Sequence, residues 1–341
     1  MAMRMKDIAK TLNVSVSTVS RVLNNVDRGR ARPDLRNKIL KYAEKNRFRF
    51  NTSARALKKG VSNSIGIVCP YDMFLFTSYT SEIFRGIVDV ANQRKYELLF
   101  LVIPEKEDYA ERFHDFCASR SVGGILLQGS LVERERNLDI FHEEQIPFVV
   151  MNTKSVEKRD TYIDCDNLGG AVEAVRHLVK LGHRRILHFR GPSESTNAEE
   201  RFGGYKKALA ESGIPFRKEL VVHGDFIEEN AYREMMRIIN EKKLAFSSIF
   251  AANDGMAIGA MRALKEKGYK LPEDVSIVGF DDILPAVYVD PALTTVSQNL
   301  YDIGRTSAEI LIEKIATKDT NPRSTVIPCR FVQRKSTAKI Q

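Results

Sequence analysis

At 341 residues, with 43% hydrophobic and 28% charged content, the chain has material for a small domain and roughly two ordinary ones beside it. Its net charge of +9 is carried unevenly: residues 1–60 hold 16 Lys+Arg against 4 Asp+Glu, while the remainder holds 37 against 40. No run approaches the ~18 apolar residues of a membrane span, and the four cysteines, Cys69, Cys117, Cys165 and Cys329, are too scattered for a disulfide framework or a metal-ligand cluster. Met1 to Lys6 lacks the apolar core of a signal peptide, which points to the cytoplasm, with no membrane partner. The charge asymmetry is an electrostatic footprint for a polyanion.

The basic segment is patterned rather than merely charged. Met5, Ile8, Ala9 and Leu12 recur at i, i+3, i+4, i+7 and predict one apolar stripe on a short helix. Ser15 stands where it can cap a second helix, which buries Val19, Val22 and Leu23 and leaves Val16, Ser17 and Arg21 on the other face. Two short helices joined by a tight polar turn, the second presenting small polar residues and an Arg, match the helix-turn-helix. Arg32-Pro33-Asp34 announces a third helix, with Pro in its first turn and Leu35, Ile39, Tyr42 and Ala43 on one face. A solvated basic tail has no need of three amphipathic patterns.

Residues 51–60 follow, Asn51-Thr52-Ser53-Ala54-Arg55-Ala56-Leu57-Lys58-Lys59-Gly60. Two helical turns are marginal in water, so a basic linker is one reading. The other is a short helix that orders on DNA and pushes Leu57 between base steps in the minor groove. Periodicity leaves both open.

Beyond residue 60 the pattern changes. Strand-like runs at 64–69, 97–103, 123–128, 147–151, 184–190, 247–251 and 274–279 alternate with helical patterns such as 81–94, 168–181, 200–212 and 253–267. That alternation predicts parallel sheets covered by helices, an α/β fold with ligands at the carboxyl ends of the strands.

Met5 to Leu23, followed by Ala54-Arg55-Ala56-Leu57, resembles the headpiece and hinge helix of the lactose/galactose repressor (LacI/GalR) family of bacterial transcription regulators. The resemblance continues through Asn63-Ser64-Ile65-Gly66-Ile67-Val68, Phe84-Arg85-Gly86-Ile87, His177 to Ile186, Ala252-Asn253-Asp254-Gly255, Val278-Gly279-Phe280-Asp281-Asp282 and Pro291-Ala292-Leu293-Thr294-Thr295-Val296. It spans nearly the whole chain in order. It implies an all-α headpiece at 1–50, a hinge helix at 51–60, and an effector-binding and dimerisation core at 61–341. That core would be two-lobed, like the periplasmic sugar-binding proteins: lobe 1 at about 61–165 and 297–324, lobe 2 at about 166–296 and 325–338, with crossings near Asp166, Val296 and Thr325.

The resemblance also assigns roles. Val16, Ser17 and Arg21 would meet base edges in the major groove, while Ser15, Thr18 and Asn24 hold phosphates. Ala54, Arg55, Leu57 and Lys58 would engage the operator centre. Lys58 occurs in family members whose near-palindromic operators carry a central C·G step, and one is expected here. On sequence alone Arg201 reads as a solvated surface residue; the resemblance puts it at the family's effector-clamping Arg. Asp281, at the end of a β-run, is either a turn residue or a carboxylate accepting two hydroxyls. Phe226 is either core or a stacking plane. Asn152, Asn253 and Gln298 add amides, and Tyr79 and Thr80 occupy first-lobe pocket positions. Such a set suits a sugar, and equally a purine or a small acid. Arg190 and Glu199 bring charge near this pocket and leave room for a phosphorylated effector.

Catalytic signatures are missing from the sequence: no Gly-x-x-x-x-Gly-Lys-Ser/Thr loop, Gly-x-Gly-x-x-Gly fingerprint or His-Glu-x-x-His pair, and the six histidines lack metal-ligand spacing. The expectation is therefore a homodimeric, effector-controlled DNA-binding regulator, with neither enzymatic activity, cofactor nor metal. Residues 333–341 offer no heptad for a tetramer.

Overall fold

Apolar spacing decides the first three helices. In a computed structural model, which describes residues 3, 5–23, 32–46, 48, 63–70, 77–103, 122–129, 138–154, 157–241 and 245–340, these are α1 (Met5–Thr11), α2 (Val16–Leu23) and α3 (Pro33–Lys45). Ile8, Ala9, Val19, Val22, Ile39 and Ala43 converge on one small core. Pro33 opens α3, where its missing N–H costs nothing. These helices lie in one compact unit, Met1–Ser62; the second unit is Asn63–Gln341.

In the second unit the alternation of strands and helices builds two parallel sheets. The chain runs β1 (Ser64–Pro70), α4 (Ser78–Arg94), β2 (Glu97–Ile103), β3 (Gly124–Gln128), α5 (Asp139–Glu143), β4 (Phe148–Met151) and β5 (Tyr162–Cys165). It continues through α6 (Asn167–Lys180), β6 (Ile186–Arg190), α7 (Thr196–Glu211), β7 (Val221–His223), α8 (Glu228–Glu241), β8 (Ser248–Ala251), α9 (Asp254–Glu266), β9 (Ser276–Val278) and α10 (Pro285–Tyr288). It closes with β10 (Thr295–Ser297), α11 (Leu300–Thr317), β11 (Ser324–Ile327) and β12 (Arg330–Val332).

The first sheet has the order β11-β5-β4-β3-β1-β2 and the second β7-β6-β8-β9, each parallel throughout. Ile65, Ile67, Val68, Ile125 and Leu126 are wholly buried, the continuous apolar run expected of strands covered on both faces. Strand order reverses beside β1 in the first sheet and beside β6 in the second, the points at whose carboxyl ends such sheets commonly receive ligands. Helices α4 and α11 cross where neither can carry a side chain. A Cβ on Gly86 would lie 2.2 Å from Tyr301 O, and one on Gly304 would lie 2.0 Å from Ile83 O.

Three crossings join the lobes. The chain leaves the first sheet after Cys165, returns through β10, and leaves again into β12, which pairs antiparallel with β10. Ser324–Ile327 pairs with Tyr162–Cys165 in the first sheet, so the third crossing follows Ile327. No helix among the described residues is long and apolar enough to cross a membrane.

Candidate functional site

In the N-terminal unit, α2 turns its polar face outward. Ser15 Oγ accepts from Thr18 N at 3.1 Å, capping the helix, and lies 2.8 Å from both Ser17 Oγ and Thr18 Oγ1. Val16 is 41% exposed, an apolar side chain on the outer face of a helix whose other valines, Val19 and Val22, are buried. Ser17 and Arg21 are exposed beside it, Arg21 Nε donating to Ser17 O at 3.3 Å. A small apolar group, a hydroxyl and a guanidinium on one helix face can read base edges. Asn24, Ala54, Arg55, Leu57 and Lys58, with the expected hinge helix at 51–60, lie outside the described residues.

In the second unit the candidate pocket residues gather where the lobes join. Arg201, in the second turn of α7, is almost completely buried. Its Nη1 donates to Ala252 O at 2.6 Å and to Asp281 Oδ1 at 3.3 Å, and its Nε donates to Asn167 Oδ1 at 2.9 Å. Its guanidinium lies 4.0 Å from the Phe280 ring centroid and 5.6 Å from that of Phe226. This Arg is thus locked by four elements of lobe 2, not solvated. Asp281 is reached by a backbone turn at φ 118°, with its N–H held by Val296 O. Gln298 Nε2 donates to the Asp281 carboxylate, and Gln298 Oε1 accepts from Cys165 Sγ.

Lobe 1 answers from the opposite side. Asn152 follows β4 at φ 59°, and its Nδ2 donates to Tyr79 Oη at 2.8 Å. Burial, then the nearby Asp281, pushes the Tyr79 hydroxyl well above its ordinary value, so it stays protonated. Thr80 is buried in the first turn of α4, its N–H directed to Thr77 Oγ1. Asn197 Nδ2 donates to Asn152 O at 2.8 Å, Thr153 and Thr196 hydroxyls meet at 2.7 Å, and Lys154 pairs with Glu200. Each of these contacts joins lobe 1 to lobe 2.

Two expectations fare differently. Phe226 borders the cluster at φ 62°, its ring against Gly191, where a Cβ would come within 2.5 Å of it. Asn253, by contrast, spends its amide on structure: Oδ1 accepts from Met256 N and Nδ2 donates to Phe226 O. It caps α9 and fixes the Phe226 turn. Asn152, Phe226 and Asp281 all adopt positive φ, a costly conformation for residues with a Cβ that concentrates at functional sites.

Sequence reasoning missed Asp164, Asn167, Asn197 and Glu200. Asn167 holds the cluster together, donating to Asn197 Oδ1 at 3.1 Å while its Nδ2 sits 3.3 Å from both Asp164 oxygens. Burial pushes the Asp164 carboxyl up to about 7 and Asp281 up to about 6, the latter opposed by Arg201. The polar run Asp164-Cys165-Asp166-Asn167, closing a short strand, was the available signal. Among the described residues no group of three or more His, Cys, Asp or Glu could hold a metal ion.

Residues 4–51 match the family of bacterial regulatory proteins, lacI family, and residues 175–337 match a periplasmic binding protein-like domain. The chain is 31% identical to the HTH-type transcriptional repressor CytR of Escherichia coli (strain K12), over 98% of this chain and 96% of that one. It is similar to the lac repressor dimer bound to operator and the anti-inducer ONPF, with a TM-score of 0.84 and 26% identity over 99% of this chain and 100% of that one. A transcriptional regulator CelR–cellobiose complex gives a TM-score of 0.75 and 27% identity, over 98% of this chain and 99% of that one.

Proposed function

The chain belongs to the lacI family of bacterial regulatory proteins, and on that premise we propose that it is a homodimeric transcriptional repressor acting in the cytoplasm. It is a DNA-binding regulator and not an enzyme, as its repressor relatives are. Its affinity for a near-palindromic operator is set by a carbohydrate effector held between the core lobes. The observation that carries this reading is the buried Arg201–Asp281 pair. It sits at the lobe junction, faced by Tyr79 and Asn152 from the other lobe. A guanidinium, a carboxylate, amides and an aromatic plane offer paired donors and acceptors for a buried sugar.

In this reading Val16, Ser17 and Arg21 meet base edges and Ser15, Thr18 and Asn24 hold phosphates, while Ala54, Arg55, Leu57 and Lys58 engage the operator centre. Tyr79, Thr80, Asn152, Arg201, Phe226, Asp281 and Gln298 receive the effector, with Asn253 positioning Phe226. Contacts such as Asn197 to Asn152 O would differ between two lobe arrangements. The effector biases the operator-binding state by its differential affinity for them.

Thermal unfolding against mono- and disaccharides, with Arg201→Ala alongside, tests the effector reading. A ligand at ~100 times its dissociation constant stabilises by about 2.7 kcal/mol. The expected result is a midpoint shift in the wild type that vanishes in the variant. A sugar that stabilises both equally binds elsewhere and defeats the assignment.

A further inference from the structure

Among the described residues, six buried side-chain polar atoms have no hydrogen-bond partner. Three belong to the lobe junction: Gln128 Oε1 and Asn152 Oδ1, just at the carboxyl ends of the neighbouring strands β3 and β4, and Glu200 Oε2 at the start of α7. All three are acceptors. Asn152 is only 8% exposed, and its Nδ2 is already committed to Tyr79. A buried acceptor without a donor is costly, and the group that relieves it must bring hydrogens.

We propose that the effector is a sugar bearing a protonated amino group, and that Glu200, with Asn152 and Gln128, receives that group. The inference rests on the reading of the lobe junction as the effector site, and adds its charge and specificity.

The charges around the seam agree. Lys154 neutralises one oxygen of Glu200 and leaves the other unpaired. Arg201 spends Nε and Nη1 on Asn167, Ala252 and Asp281, so an anion approaching its guanidinium also meets the Asp281 carboxylate. Glu200 and Asp164 stand close enough for Glu200 to raise the Asp164 carboxyl further. Arg201 and Lys154 already offset part of that repulsion; a further cation beside Glu200 relieves more of it, and a phosphate adds to it. Arg190, the other cation near this end of the sheet, is paired with Glu199 and lies 4.6 Å over the Phe202 ring. It keeps a buried Nε without an acceptor, and the phosphate arm of the titration below tests whether that donor draws an anion.

The experiment is isothermal titration of the full-length protein and of Glu200→Gln, at a pH where the amine is protonated. The probes are glucosamine and galactosamine, glucose and galactose, and glucose 6-phosphate. The expected result is that one amino sugar binds the wild type at least tenfold more tightly than its neutral counterpart. The phosphate should not bind, and Glu200→Gln should erase the tenfold preference while circular dichroism shows an unchanged fold. Equal or tighter binding of a neutral sugar or the phosphate, unaffected by Glu200→Gln, overturns the amino-group inference and leaves the carbohydrate reading standing. No heat from any of the five with folded wild type overturns this inference. If the wider mono- and disaccharide panel also fails to shift the midpoint, the carbohydrate reading falls with it.

Discussion

Arg201 and Asp281 meet at 3.3 Å, both nearly sealed from solvent, and each makes the other tolerable. Without Asp281 the guanidinium is an unpaired buried cation. Without Arg201 the carboxylate must take up a proton or draw in water. Breaking a buried pair by removing one member commonly costs about 3 kcal/mol or more. Arg201→Ala should lose that much stability near neutral pH, beyond losing its ligand. Because Arg201 opposes the burial that already lifts Asp281 to about 6, its loss should lift that carboxyl further. The variant's deficit should therefore be larger at pH 8 than at pH 5. Denaturant unfolding at both values checks this; a deficit independent of pH would mean that Asp281 stays ionised without its partner.

On the DNA-reading face, Ser15 couples stability to phosphate contact, whereas Arg21 bears on recognition alone. Ser15→Ala removes the cap on α2 and should lower the stability of the N-terminal unit by about 1 kcal/mol. Arg21→Ala should leave stability nearly unchanged, because its side chain is exposed. It should instead relax base preference at one position per half-site, by about 1–3 kcal/mol of discrimination. Binding assays against an operator library read the difference. An unchanged preference in Arg21→Ala would remove its base-reading role.

How far the sequence reached depended on the length of each pattern. Helices α1 to α3 and strands such as β1 and β2 carry enough periodic positions to be read directly. Strands β5, β7, β10 and β12 have only three or four residues, and Asp164, His223, Thr295, Ser297 and Arg330 break the apolar run that marks the equally short β4 and β8. Helix α11 buries Leu300, Ile303, Ala308, Leu311 and Ile315 together with Ser307 and Lys314, which blurs its stripe. In the site, Arg201 and Asp281 were legible by resemblance, since an Arg near a helix start has no burial signal of its own. Asn167 escaped because its role exists only once residues 152, 164, 197 and 201 come together. That is a fact of tertiary geometry, not of local spacing. Asn253 was named for a pocket role, yet three residues before Met256 N it is placed to cap a helix, a local preference that competes with any ligand.

The crossing of α4 and α11 gives a packing test remote from both sites. Gly304→Ala sets a methyl 2.0 Å from Ile83 O, and backbone cannot yield as a flexible side chain would. Forcing the helices apart should cost about 1–3 kcal/mol or more, against a helix-propensity gain of about 1 kcal/mol from replacing Gly. The clash should win. Urea denaturation would decide it, and a stabilised variant would mean that the two helices can separate at little cost.

His188 sets a pH dependence with a sign of its own. Its ring is fully buried between Tyr205 and Phe250, with centroids 4.8 and 5.0 Å away. Nδ1 lies 2.9 Å from Phe250 O and must carry the proton, since a carbonyl only accepts. Nε2 has no partner. Burial lowers the group from 6.5 to about 3, so between those values the unfolded chain binds a proton that the folded chain refuses. Folding stability then falls as pH drops below 6.5, by up to about 1.4 kcal/mol per unit for this one group. Asp164 acts oppositely: raised from 3.8 to about 7, it keeps its proton in the folded state, and stability falls as pH rises through that window. The two slopes oppose one another between about pH 4 and 6.5, and the raised Asp281 adds to the Asp164 side, so the wild-type curve alone does not separate them. His188→Phe keeps the ring stack and leaves Phe250 O without its imidazole donor, a pH-independent loss of about 1 kcal/mol. Relative to wild type it should gain stability steadily as pH falls from 6.5 to 4. Asp164→Asn should show the reverse, gaining relative to wild type as pH rises from 4 to 7. Unfolding free energies of the three proteins across that range test the argument. Parallel curves would mean that His188 takes up its proton in the folded state.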